Sequence, residues 1–191
     1  MVVDATGFSI NKYNKTWLQN KHRHISQDYV KLHAAIDMKW RSIISFHLTR
    51  TNVHEITQLE RLLEPLYDLG DVYADSGYLS VNNCWVIVMK GGTPFIKPKK
   101  TTTGHGTYKQ KIMYGNPFTD MIERYKQNKK GWMKKYHQRS NIEAVFSSLK
   151  RRLGGFVISI KERIQQIEIA LKIIVYNLMI LVRKIVEEEY F

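Results

Sequence analysis

Between Tyr29 and Asp37, apolar and polar residues alternate without a break: Val30, Leu32, Ala34 and Ile36 face one way, Tyr29, Lys31, His33 and Asp37 the other. A period of two is the pleat of a β-strand with one buried face, so this chain needs a sheet and something packed on it. Ser42–Thr49 repeats the alternation through Ile44, Phe46 and Leu48, and only residues 38–41 separate the two runs, which predicts an antiparallel hairpin. Further strands are expected at Met1–Asp4, closed by the turn-like Ala5-Thr6-Gly7, at Asp71–Asp75, and, as a fifth candidate, at Pro94–Ile96.

The period then changes. Residues 54–67 place Ile56, Leu59, Leu62, Leu63 and Leu66 on one helical stripe, with Pro65 weakening the last turn. A short helix is expected at 80–90 and longer ones over Phe118–Gln127, Ser140–Leu153 and Ile160–Glu188. Gly154-Gly155 ends the middle one, because glycine takes the left-handed conformation at a helix end. The fold class is therefore α/β: a mixed sheet flanked by helices, one domain over residues 1–191.

Charge narrows the partner. Residues 90–163 hold 18 of the 30 Lys and Arg against four acids, an excess that accounts for the whole net charge of +13. A localised basic stretch suits phosphate neutralisation and counterion release, so a nucleic acid is the expected partner; a solvated basic face is the plain alternative. A single cysteine, Cys84, excludes a disulfide framework and a thiolate zinc site, and fits a reducing cytoplasm. The most apolar run, Ile173–Val182, has ten residues and is interrupted by Asn177. It reaches roughly 15 Å, about half of a bilayer core, so no membrane partner is expected.

Three carboxylates stand out. Asp4 and Asp75 each close a predicted strand, and neighbouring strands would bring them to one sheet edge. Converging carboxylates without an imidazole or thiolate cluster suit hard cations. Tyr136, Arg139, Glu143 and Lys150 follow one another at spacings of three, four and seven. At about 100° per residue they form a stripe about 60° wide, beside an apolar face of Ile142, Val145, Phe146, Leu149 and Leu153. Ser140-Asn141-Ile142-Glu143 also matches a capping box, in which Glu143 would only reach back to the Ser140 backbone.

The pattern Tyr136-x-x-Arg139-x-x-x-Glu143 followed by Lys150 resembles the Y-(2)-R-(3)-E-(6)-K signature of IS4-type DDE insertion-sequence transposases. Val3-Asp4-Ala5-Thr6-Gly7 and Ala74-Asp75-Ser76-Gly77-Tyr78 resemble the family's two aspartate motifs, and Lys31-Leu32-His33 is also similar to it. The resemblance covers nearly the whole chain. It implies an RNase H-like fold with Asp4, Asp75 and Glu143 as catalytic residues and ligands of two Mg²⁺ or Mn²⁺ ions, roughly 3.5–4 Å apart. It further implies that Arg139, Lys150 and Tyr136 grip phosphates of double-stranded DNA, at the element's terminal repeats and at the target. A prokaryotic, nucleoid-associated chain that cuts and joins DNA in the cytoplasm is the expectation.

Only three residues precede Asp4, and nothing resembles the N-terminal DNA-binding region usual in such transposases. The chain thus reads as a catalytic domain without that region. Two other readings compete: an inactive, truncated DNA-binding remnant, and an RNase H-like nuclease without strand transfer. The histidines form no ligand cluster; His22 and His24 lie in a basic stretch and His105 between two glycines. Trp132, Tyr108 and Tyr114 lie among basic residues and suit ordinary packing better than base stacking. The last helix is apolar on most sides, which predicts burial against the sheet, with a homodimer seam as the alternative.

Overall fold

A computed structural model describes residues 1–10, 29–50, 53–99, 102 and 116–190. Its sheet is mixed. Strands β1 (Val2–Ile10), β2 (Tyr29–Ile36), β3 (Ile43–Arg50), β4 (Asp71–Ala74) and β5 (Thr93–Ile96) lie in the order β3-β2-β1-β4-β5, and β6 (Phe156–Val157) also pairs with β1. β1 is antiparallel to β2 and parallel to both β4 and β6. The helices are α1 (Leu59–Leu63), α2 (Val81–Met89), α3 (Pro117–Gln127), α4 (Lys129–Tyr136), α5 (Asn141–Leu153) and α6 (Glu162–Tyr190).

Strand alternation sorts the core into two layers. Val2 and Phe8 of β1, with Val30, Leu32, Ala34 and Ile36 of β2, pack under α4, α5 and α6 through Trp132, Ile142, Leu149 and Ile169. Val3, Ala35, Val72 and Ala74 point the other way and pack under α1, α2 and α3 through Leu59, Leu62, Ile87 and Met121. The alternating run in β2 therefore faces its core as expected. The hairpin forms as well, closed by Arg41 N–H on the Asp37 carbonyl at 2.9 Å.

Several local expectations are corrected. Asp4 does not end its strand: β1 continues through Ala5-Thr6-Gly7 to Ile10. Gly7 serves packing rather than a turn, since a Cβ there would stand 2.8 Å from the Tyr29 ring. Ile44 and Phe46 of edge strand β3 are exposed, and a register shift at Ala35/Ile36 sets Ile43 opposite Ile36 instead. The helix expected over 54–67 is a 3-10 turn, Glu55–Thr57, followed by α1, which stops before Pro65. α4 and β6 were not expected. α4 is lysine-rich with little apolar spacing, and a two-residue strand has no period to read. α5 does end at Gly154, whose φ is +85.

The last helix departs most. Gln165, Ile169, Ile173 and Tyr176 form a buried stripe, while a second apolar stripe on the helix is exposed. One-sided contact with the sheet replaces all-round burial. Among the described residues no helix is long and apolar enough to cross a membrane.

Candidate active site

The register of β1 against β4 fixes the first two acids. Val2 pairs with Tyr73 and Val3 with Ala74, so the next positions along both chains are Asp4 and Asp75. β4 ends there and the chain turns into a 3-10 segment, Ser76–Tyr78, leaving Asp75 at its entry. β6 takes up the same side of β1 only at Ser9 and Ile10. The β1 edge from Asp4 to Phe8 is thus open between two short parallel partners. Alternation sends Asp4, Thr6 and Phe8 to the face covered by α5.

α5 closes over that opening. Arg139 donates from Nη1 to Asp4 Oδ2 at 2.5 Å and from Nη2 to Glu143 Oε1 at 3.2 Å. Lys150 Nζ donates to Thr6 Oγ1 at 2.6 Å, and its ammonium stands 5.5 Å from the centre of the Phe8 ring. Four of the six expected site residues, Asp4, Arg139, Glu143 and Lys150, therefore meet along one strand edge and one helix. Asp75 joins through register. Tyr136 behaves differently: it is buried, stacks on Trp132 at 5.2 Å, and its hydroxyl hydrogen-bonds Arg139. It steadies the guanidinium from within the core.

The capping box does not form. The chain enters α5 from a 3-10 turn, His137–Ser140, so Ser140 already has helical angles and makes no side-chain cap. Capping needs an extended backbone at that residue. The Ser140 hydroxyl instead donates to the His137 carbonyl at 2.9 Å. Glu143 is left with its carboxylate beside Arg139 and its side chain 63% exposed.

Burial raises the Asp4 carboxyl above its ordinary range; Arg139 and the Ala5 N–H oppose this, while Asp75 adds to it by repulsion. Burial lowers the Lys150 ammonium and raises the Tyr136 phenol to about 12. One acid escaped the sequence reading. Glu55 forms a 2.9 Å ion pair with Lys31, and a Cβ at Gly77 would stand 2.5 Å from its Oε2. Its charge also reaches Asp4 and the buried Tyr78 hydroxyl. Its position on a predicted helix carried no signal; the Lys31-Leu32-His33 motif, whose lysine it pairs with, was the nearest hint.

The donor set is oxygen-only, with Cys84 buried in the opposite layer. Two aspartates in register, one desolvated and repelled by the other, form a pair whose repulsion a hard divalent cation relieves. Among the described residues no three acidic, histidine or cysteine side chains are grouped as a metal cage. Between Asp4 and Glu143 stands the Arg139 fork. The residues fit a divalent ion once that fork moves. His33 is buried, its Nε2 2.9 Å from Thr49 Oγ1. Trp132 is core, as ordinary packing predicts. His22, His24, His105, Tyr108 and Tyr114 lie outside the described residues.

A six-stranded mixed sheet flanked by helices, carrying two in-register aspartates, is an RNase H-like α/β arrangement. The family described as the transposase DDE domain matches residues 1–178, and the chain belongs to it. No curated protein and no solved structure gives a match. Transposition, DNA as partner and a dependence on divalent metals are what this family implies.

Proposed function

We propose that the chain is the catalytic domain of an IS4-type insertion-sequence transposase, with Asp4, Asp75 and Glu143 as the ligands of two Mg²⁺ or Mn²⁺ ions. The observation that carries this reading is the β1–β4 register, which sets Asp4 beside Asp75 on the strand edge that α5 covers with Arg139 and Glu143. When bound, such ions supply the Lewis acidity that eases nucleophilic attack on a scissile phosphate.

The protein's own groups do the rest. Arg139, with a planar fork suited to two phosphate oxygens, holds the DNA backbone beside the acids. Lys150 adds a point charge along the same strand edge, anchored on Thr6. Tyr136 orients Arg139 from the core instead of touching DNA. Double-stranded DNA, first at the element's ends and then at the target, is the substrate.

The test is incubation with Mg²⁺ or Mn²⁺ and DNA bearing the element's terminal repeats. Cleavage and strand transfer are expected, and Asp4→Asn, Asp75→Asn or Glu143→Gln should each abolish both while DNA binding persists. Cleavage without joining would favour the nuclease reading. Binding without cleavage, unchanged by Glu143→Gln, would leave a DNA-binding remnant and sink the proposal.

A further inference from the structure

α6 spans 29 residues, about 43 Å, and carries two apolar stripes. The first is the buried one through Ile169 and Ile173. The second has a strict spacing of three and four: Ile164, Leu171, Leu178 and Ile185 repeat every seven residues, with Ile167, Ile174 and Leu181 interleaved. All seven are between 46% and 55% exposed. A surface helix that only packs on its own sheet shows one stripe. A sustained heptad pattern on the outward side is the seam of a helix pair.

We infer that this seam pairs α6 with α6 of a second copy, in antiparallel orientation. Three observations choose that occupant. The seam's residues are all Ile and Leu at heptad positions, which complement another copy of themselves in a two-fold, self-complementary contact. Arg163 lies at the start of α6 and Glu188 and Glu189 at its end, so antiparallel pairing sets basic start beside acidic end. Helix dipoles favour the same arrangement. The seven side chains offer on the order of 600 Å² per copy, so a pair buries about 1,200 Å², the lower range of a specific interface. Flanking Val182 and Val186, 58% and 47% exposed, extend it. The inference rests on α6 alone and stands whether or not the acids are catalytic.

Nuclease-treated full chain should sediment at twice its 22.5 kDa mass at micromolar concentration. Leu171→Asp with Leu178→Asp should give a monomer of unchanged circular dichroism. A wild-type monomer at about 100 μM, or a dimer that survives in the folded double variant, overturns the inference. Should the double variant lose its fold, single cysteines decide instead, since native Cys84 is buried. Ile174→Cys, at the middle of the seam, should crosslink two copies on oxidation. Ile185→Cys should not, because antiparallel copies hold it about 30 Å apart, far beyond the roughly 7 Å limit for a disulfide. No crosslink at 174, or an efficient one at 185, refutes the antiparallel pair.

Discussion

Arg139→Ala tests whether the guanidinium serves as the internal counter-ion of the acid site. Arg139 meets Asp4 at 2.5 Å with side chains 22% and 19% exposed, and meets Glu143 at 3.2 Å. Removing one member of a fully buried pair costs about 3–5 kcal/mol, and of an exposed pair about 0–1 kcal/mol. Asp4 and Arg139 are four-fifths covered, so the loss should be about 2–3 kcal/mol, with the exposed Glu143 arm adding little. In a chain of 191 residues each kcal/mol moves Tm by about 2–4 °C. In EDTA the variant should therefore melt about 4–10 °C below wild type. Mn²⁺ should reverse this. A cation held by Asp4, Asp75 and Glu143 takes over the charge that Arg139 supplied, and in the variant it no longer has to displace the fork. The variant should thus bind Mn²⁺ more tightly in calorimetry, and the melting gap should close as Mn²⁺ rises. Equal melting in EDTA, or a gap that saturating Mn²⁺ leaves untouched, would refute the counter-ion reasoning.

Two further predictions follow from single side chains. His33 is fully buried, and burial, aided by Lys31, lowers its pKa from 6.5 to about 4. The unfolded chain takes up this proton first, so stability is full above pH 6.5 and falls by about 3 kcal/mol as pH drops toward 4. Urea melts across that window should show the loss, and His33→Gln should flatten it; an equally steep profile in the variant would exclude His33 as the source. Lys150→Met keeps an apolar stem over Phe8 but removes a phosphate contact. The slope of log K against log salt for DNA should shrink by about 1. An unchanged slope would place Lys150 outside the DNA interface.

The legible parts of this protein were those with a period or a dense motif. The alternation of β2 predicted its inner face residue by residue, because one buried face leaves the pleat no other register. The stripe through Arg139, Glu143 and Lys150 placed three polar groups on one side of α5 and its neighbouring turn, and the structure sets them over β1. Tyr136 lies on the same stripe yet is buried. A wheel gives direction around an axis, while depth depends on what lies beneath, here Trp132.

Composition, periodicity and motif by themselves determined the α/β class, the basic partner surface, the three acids and their family. Strand pairing is a long-range choice, and only the tertiary structure made it. It extended β1 past Gly7, because Tyr29 packs flat against that glycine. It brought Asp4 beside Asp75 through parallel pairing across some 70 residues. It cancelled the capping box by delivering Ser140 in a helical conformation. And it left the heptad face of α6 in solvent: the sheet has one surface on that side, and Ile169, Ile173 and Tyr176 already cover it.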